Sequence, residues 1–157
     1  MLSLRERLRD VPQEGRVSWI GLRPAHGVAM QVVDAVVAIA DRGLDGDRAR
    51  RGARQVTLVQ AEHLPVIARF ASRAAVGPEQ LRRNLVIEGI NLLALAKLSF
   101  AVGDEVILVG TGPCAPCGKL DELIGPGGFQ AARGHGGITA RIERGGTLRV
   151  GDRVRVV

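Results

Sequence analysis

Two cysteines offer the most distinctive chemistry in this 157-residue sequence. Cys114 and Cys117 are the only cysteines and lie within Gly-Pro-Cys-Ala-Pro-Cys-Gly-Lys, after the apolar run at 106–109. A thiolate is a strong nucleophile and a soft metal ligand, so a close pair indicates reactive sulfur or metal binding. The motif fits a redox dithiol, half of a zinc site, a sulfur carrier or a ligand of a soft metal cofactor. Two small residues buried in a turn would give the same pattern.

Two of these interpretations fit the rest of the sequence poorly. The segment Cys-Ala-Pro-Cys-Gly-Lys is similar to the thioredoxin active site, which lies early in its domain and opens a long helix. Here Cys117 follows most of the chain, and glycines at 118, 125, 127 and 128 disfavour a long helix. Structural zinc needs four ligands, and the three histidines show no paired spacing. A thiol-disulfide redox protein nevertheless stays open as an alternative.

The basic residues are almost all arginine, which points to an anionic ligand. The chain has 22 Lys and Arg residues, of which only Lys97 and Lys119 are lysines, and a formal net charge of +6. An arginine fork binds phosphate or carboxylate bidentately. A GC-rich genome would produce the same excess, and that alternative stays open. Nucleic acid is a weaker candidate, because only 3% of the residues are aromatic and so almost none is present to stack on a base.

Three segments place arginine beside glycine or at the start of a strand. They are Gly-Leu-Asp-Gly-Asp-Arg at 43–48, Arg-Gln-Val-Thr-Leu at 54–58, and Leu-Arg-Arg-Asn-Leu-Val-Ile-Glu-Gly at 81–89. The candidate anion-binding residues are Arg48, Arg54, Arg82 and Arg83, with Asn84 orienting the ligand. We expect Asp47 to order its loop, because a free carboxylate would repel the same anion.

Short apolar runs separated by turn residues predict the elements that position these groups. We expect strands at 16–22, 32–40, 55–59, 85–87, 98–102, 105–109, 138–143 and 153–157, helices at 2–9 and 61–71, and a helical turn after Pro78. The run at 32–40 is nearly all apolar, which predicts burial on both faces. A core of valine and alanine rather than aromatic residues favours sheet. The fold class is therefore mainly β (α+β), a β-barrel of seven or so strands with a few short helices.

Length and hydropathy indicate the organisation and location of the chain. We expect one domain over 1–157, with its core at about 17–157 and a helical extension at 1–12. Val-Gly-Asp occurs at 102–104 and again at 150–152, where it predicts structural corners between strands.

No apolar stretch approaches the roughly 20 residues of a membrane span, and the charged N-terminus lacks a signal-peptide core. We therefore expect a cytoplasmic protein without a membrane partner, where paired cysteines are more often reactive or metal-binding than disulfide-bonded.

Taken in order, the arginine segments and the cysteine turn resemble the MOSC family, which includes the C-terminal domain of molybdenum cofactor sulfurases. The stretch Glu-Arg-Gly-Gly-Thr-Leu-Arg-Val-Gly-Asp at 143–152 completes the pattern. The resemblance covers about 17–157 and implies a mixed fold centred on a β-barrel. It also implies that Cys117, in the Pro-Cys pair, is the functional thiol that ligates molybdenum or carries sulfur. Cys114 and Ala49 stand where many members have another residue and a histidine, respectively.

The resemblance implies a protein that binds the molybdenum cofactor, molybdopterin, without pyridoxal phosphate. It implies sulfur transfer or reduction of N-hydroxylated compounds, with a non-enzymatic cofactor carrier as the alternative. The four arginines supply guanidinium forks for the phosphate of a phosphate-bearing pterin, and with Asn84 they supply polar groups for its edge. Cys114 would resolve an oxidised or persulfidated Cys117 by forming a disulfide with it. The sequence has no Gly-x-Gly-x-x-Gly and no iron–sulfur cysteines, so electrons or sulfur would come from an external donor protein. The sequence does not distinguish a monomer from a homodimer, or an enzyme from a protein without catalytic turnover.

Overall fold

Eleven strands and five short helices form the chain in the computed structural model, which describes residues 1–157. The strands are β1 (Gly15–Leu22), β2 (Gln31–Val33), β3 (Ala35–Ile39), β4 (Gly43–Leu44), β5 (Val56–Gln60), β6 (Leu85–Glu88), β7 (Ser99–Val102), β8 (Val106–Pro113), β9 (Ile138–Arg144), β10 (Gly146–Arg149) and β11 (Arg153–Val156). The helices are α1 (Leu4–Arg7), α2 (Leu64–Phe70), α3 (Pro78–Leu81), α4 (Leu120–Ile124) and α5 (Gly128–Ala132), with 3₁₀ turns at Ala61–His63 and Leu92–Leu95. None of the helices has the length and apolar character needed to cross a membrane.

Seven of the strands close into a barrel. Their order is β11-β7-β8-β9-β5-β6-β1, and β1 pairs back onto β11 with Gly15 opposite Val154. Neighbouring strands run antiparallel except β5 and β6, which are parallel. The later half of β1 pairs with β2, while β10, β3 and β4 form a separate three-stranded sheet. The predicted mainly β fold, a barrel of seven strands with a few short helices, is confirmed.

Alternation along β5 and β6 separates two hydrophobic cores. Leu58 and Leu85 belong to a cluster of 23 buried residues inside the barrel, which also contains Phe100. Their sequence neighbours Val59 and Val86 belong to a second cluster of 10 buried residues, formed with helices α2 to α5. Successive side chains of a strand face opposite sides, so one pair of strands serves both cores. The helices therefore pack on the outside of the barrel, against β5 and β6.

The apolar run at 32–40 forms two strands instead of the one predicted. Asp34 separates β2, which pairs with β1, from β3, which pairs with β10. Val36 and Ala38 join the barrel core, whereas Val37 is 48% exposed. The prediction of burial on both faces was therefore wrong. The physical reason is that β3 lies in a small sheet that covers the barrel with one face and leaves the other in solvent.

The two Val-Gly-Asp segments form the turns from β7 to β8 and from β10 to β11. Gly103 has a φ of +68°, in the left-handed region that favours glycine, and its N–H donates to Arg153 O at 2.8 Å. Asp152 Oδ2 accepts the N–H of Arg149 at 2.7 Å, which orders the second turn. The contacts of both segments are structural, in line with the sequence-based interpretation.

Candidate functional site

Strand register brings the candidate segments together. Leu85 of β6 lies opposite Leu58 of β5, and Leu58 lies opposite Ile138 of β9. Ile138 in turn lies opposite Pro113 of β8, so the row crosses four neighbouring strands. Pairing therefore carries groups that are distant in sequence into one region. The polar or flexible residues next to this row are Arg83, Asn84, Cys114, Gly136 and Gly137.

A buried ion pair between Asp47 and Arg23 underlies this region. Both side chains are almost fully enclosed, and Arg23 Nη2 lies 3.0 Å from Asp47 Oδ2. The backbone N–H of Arg23 also donates to Asp47 Oδ1 at 2.7 Å. Burial alone would raise the pKa of Asp47, but the hydrogen bonds and charge of Arg23 outweigh it, and the pKa is lowered. Asp47 is therefore an ionised, paired carboxylate that orders its loop rather than a free charge facing a ligand.

Asn84 is fully buried, and both polar atoms of its side chain form hydrogen bonds with protein groups. Its Oδ1 accepts from the N–H of Thr57 at 3.1 Å and from Arg23 Nη2 at 3.2 Å. Its Nδ2 donates to Gly21 O and to Asp47 Oδ1, both at 3.0 Å. The sequence predicted that Asn84 orients the ligand. The structure leaves it no free donor, because its amide joins β1, β5 and the Asp47 loop.

Arg83 lies between the cysteines and the other arginines, and is only 6% exposed. Its Nε donates to Gly136 O at 2.8 Å and its Nη1 to Leu81 O at 2.9 Å, while Nη2 has no partner within the protein. Burial lowers the pKa of Arg83, the charge of a Cys114 thiolate opposes that shift, and neighbouring arginines add to it. The side chain is thus held rigidly by two carbonyls and keeps one donor group for an anion.

Arg48 and Arg54 add two exposed cations to the same region. Neither has a carboxylate within ion-pair distance. Burial lowers the pKa of Arg48, and the charges of Arg23, Arg82 and Arg54 lower it further, so these cations lie close together. Asp47 is the acidic neighbour that opposes the shift. We call this set of Arg23, Arg48, Arg54, Arg82 and Arg83 the arginine cluster; it is strongly electropositive.

Arg82 uses its guanidinium to hold the loop between β1 and β2. It follows α3 directly and has a left-handed φ of +55°. Its Nη1 donates to Val28 O at 2.8 Å and its Nη2 to Ala25 O at 3.2 Å. The sequence grouped Arg82 with the anion-binding residues. In the structure its charge contributes to the arginine cluster, but these two donors are directed at the loop.

The two cysteines follow β8 and differ in exposure and partners. Cys114 is 4% exposed, its N–H donates to Gly137 O at 2.8 Å, and Arg54 Nη2 lies 3.8 Å from its Sγ. Cys117 is exposed, and its Sγ accepts the N–H of Lys119 at 3.4 Å. Both are free thiols. The turn therefore encloses one sulfur beside a guanidinium and leaves the other accessible.

Two glycines before β9 hold Arg83 and Cys114 in place. The Gly136 carbonyl accepts from Arg83 and the Gly137 carbonyl accepts from Cys114. A Cβ on Gly136 would lie 2.6 Å from Cys114 O and 3.3 Å from Arg83 Nη2. Gly137 has a φ of +87°, which favours glycine. Sequence reasoning gave these glycines no role in the site, although a glycine pair directly before a strand was the available signal.

Arg23 and His26 also belong to this region, and sequence reasoning missed both. Arg23 binds Asp47, and His26 Nε2 lies 3.2 Å from Arg48 Nη1. A charged residue between the end of a predicted strand and Pro24 was the available signal for Arg23. No local pattern places His26 beside Arg48, because the contact is made between two separate loops.

Comparison with known proteins identifies the family of this fold. The MOSC domain model matches residues 27–155. The YuaD protein from Bacillus subtilis has a similar crystal structure, with a TM-score of 0.81 and 18% identity over 93% of this chain and 97% of that one. The crystal structure of YiiM from Escherichia coli has a TM-score of 0.70 and 21% identity, covering 90% of this chain and 69% of that one. The crystal structure of YiiM from Geobacillus stearothermophilus has a TM-score of 0.73 and 15% identity, covering 91% of this chain and 75% of that one. At these identities the likeness shows a shared fold. A search of curated proteins found no match.

Proposed function

The chain belongs to the MOSC domain family, and from that premise we propose that it binds the molybdenum cofactor between the arginine cluster and Cys117. The observation that carries this proposal is the juxtaposition of the arginine cluster with two free thiols. A phosphate-bearing pterin needs fork-shaped cationic donors, and its metal needs a soft ligand. The chemistry of the residues present therefore fits molybdopterin.

We assign the anionic end of the cofactor to Arg83, Arg54 and Arg48. Arg83 Nη2 has no protein partner, and no carboxylate pairs with the other two guanidinium groups. Asp47 does not compete, because Arg23 already binds its carboxylate. Hydrogen bonds to a charged group contribute about 1.5–3 kcal/mol each. A phosphate would thus find several unpaired donors and no unpaired acidic neighbour.

We assign the metal-ligating role to Cys117, because its sulfur is exposed whereas that of Cys114 is enclosed. The N–H of Lys119 donates to Cys117 Sγ, and such a hydrogen bond stabilises negative charge on a sulfur atom. When bound, the cofactor supplies a redox-active metal centre that the protein's own side chains lack. Cys114 holds the turn through its N–H. It is also close enough in sequence to attack a sulfenic acid or a persulfide on Cys117, which forms a disulfide and releases water or hydrogen sulfide, respectively.

The proposed activity is sulfur transfer or reduction of N-hydroxylated compounds, supplied with sulfur or electrons by a separate donor protein. The exposed Cys117 also favours a second candidate, a carrier that holds the cofactor and passes it on, because a partner can reach this thiol. Cofactor-loaded protein, a hydroxylamine-type substrate and an artificial electron donor separate the two. Turnover supports the reductase, whereas bound cofactor with neither this turnover nor transfer of sulfur from a donor supports the carrier.

Metal and pterin analysis tests the binding proposal itself. Protein purified from a host that makes the cofactor should contain molybdenum and pterin in near-equal amounts. Arg83→Gln should lose most of both. Arg155→Gln is the matched control, because it changes an exposed arginine of β11 outside the arginine cluster. Wild-type protein that contains neither molybdenum nor pterin would show the proposal to be wrong.

A further inference from the structure

We propose that His26 is a further anion-binding residue of this site and that binding of a doubly charged oxyanion is coupled to its protonation. The inference rests on the proposed function, since it assumes that the arginine cluster binds an anion. The ligand class is a phosphate monoester or an equivalent dianion, which offers several acceptor oxygens. His26 lies outside every motif on which the family resemblance depends.

His26 meets Arg48 as a hydrogen-bond acceptor. Its Nε2 lies 3.2 Å from Arg48 Nη1, and a guanidinium carries donors only. The contact therefore requires a neutral imidazole with an unprotonated Nε2. In this arrangement His26 takes the Arg48 donor that an anion would use.

The loop that carries His26 is held by a second arginine of the cluster. Arg82 donates to Ala25 O at 3.2 Å and to Val28 O at 2.8 Å, on either side of His26. His26 itself is exposed. Arg82 thus holds the backbone on both sides of His26, and the exposed imidazole beside Arg48 is accessible to a ligand.

Arg48, which His26 contacts, lies among three further arginines and one carboxylate. The arginines are Arg23, Arg54 and Arg82, and the carboxylate is that of Asp47, which binds Arg23. Protonating His26 without an anion would set two donors, on His26 and Arg48, opposite each other. An oxyanion between them accepts from both, and the imidazolium contact is charge-assisted. A charge-assisted contact favours the imidazolium over a neutral tautomer that carries its proton on Nε2, so binding should take up a proton and affinity should rise as pH falls.

Sulfate is the probe for this coupling, because it keeps two negative charges where phosphate titrates, near pH 6. Isothermal titration calorimetry measures its affinity at about pH 5.5 and at about pH 7.5. Wild-type protein should bind about tenfold more tightly at the lower pH, with net proton uptake. His26→Gln should show equal affinity at both pH values. His26→Arg should keep the higher affinity at both, because a guanidinium stays charged throughout.

His63→Gln is the matched control, because it removes an imidazole outside the arginine cluster and should keep the wild-type pH dependence. An unchanged pH dependence in His26→Gln would overturn the inference while leaving the anion site standing. Failure of wild-type protein to bind sulfate at either pH would also overturn it. The proposed function is decided separately, by the metal and pterin content of the purified protein.

Discussion

Among individual residues, enclosure separates the groups that hold the site from the groups that can meet a ligand. Asp47 and Asn84 direct their polar atoms at protein partners. Arg83 is held by two carbonyls but keeps Nη2 unpartnered, and Cys117 is exposed. Substitutions in the first group should therefore lower stability, and substitutions in the second should lower affinity.

The two cysteines should respond differently to the same substitution. Cys117→Ser should abolish molybdenum retention and any activity, because it removes the accessible sulfur. Cys114→Ser should leave cofactor binding largely intact, since its sulfur is enclosed beside Arg54. Molybdenum and pterin per chain are the measurements. Equal loss in both variants would instead indicate a dithiol or shared-metal mechanism.

Arg83→Lys should weaken cofactor binding, although it conserves the charge. A lysine carries a point charge and cannot reproduce a guanidinium fork anchored on Gly136 and Leu81. Loss of one charge-assisted contact predicts a fall in affinity of roughly ten- to a hundredfold. Titration of apoprotein with a phosphorylated pterin measures it, with Arg155→Lys as the control. Wild-type occupancy in Arg48→Ala, Arg54→Ala and Arg83→Ala alike would remove the cluster from ligand binding.

Among the elements, short connections rather than the strands themselves carry the site. The turn after β8 presents both cysteines, and the segment before β9 supplies the carbonyls that hold Arg83 and Cys114. The loop between β1 and β2 is tied down by Arg82. Rigid strand pairing thus fixes the ends of these connections, and backbone carbonyls set the directions of the side chains.

Gly136→Ala tests how closely the segment before β9 approaches the site. The added Cβ would lie 2.6 Å from Cys114 O, closer than nonbonded atoms approach, so Cys114 and Arg83 should shift. We expect a loss of about 1–3 kcal/mol in stability and weaker cofactor retention. Gly118→Ala is the matched control, because a Cβ there meets nothing within 4 Å. Thermal unfolding and pterin content measure both effects, and equal behaviour of the two variants would refute the argument.

For the whole molecule, closure of the barrel and the buried polar network depend on each other. Asn84 links β1 and β5 across β6, and the Asp47–Arg23 pair joins the loop after β4 to the end of β1. A buried ion pair of this kind is costly to break, because the remaining partner stays enclosed and uncompensated. Global stability should therefore depend on the ionisation of Asp47.

Asp47→Asn tests that dependence. The folded-state pKa of Asp47 lies below its unfolded value of about 4, so its ionised form stabilises the protein above that pH. The contribution is lost as pH falls through the folded-state value. Asp47→Asn should lose about 3–5 kcal/mol near neutral pH and show a flatter decline below about pH 4.

Urea unfolding from neutral pH into acid measures this change in slope. Glu88→Gln is the control, because it replaces an exposed carboxyl on β6 and should keep the wild-type decline. Parallel pH curves for Asp47→Asn and wild type would contradict the assignment of acid sensitivity to the Asp47–Arg23 pair.

Most strands of the barrel could be predicted because alternation and turn residues are local properties of a sequence. The split between β2 and β3 could not, since an apolar run does not reveal that its halves pair with different sheets. β10 was also missed, because it is short, rich in polar residues and stabilised by pairing with β3. Edge and satellite strands depend on partners that are remote in sequence.

The fold class, the family and the residue types of the candidate site follow from the amino-acid sequence alone, because the order of motifs and the hydrophobic period are properties of the linear chain. Which of those side chains are free to meet a ligand depends on the tertiary structure. Asn84 and two donors of Arg82 bind other groups of the protein. Arg23 and His26 join the arginine-rich region through contacts with Asp47 and Arg48. Cys114 is buried, whereas Cys117 is exposed. The physical reason is that burial and hydrogen-bond partners follow from strand register and loop contacts, which join segments that no local pattern connects.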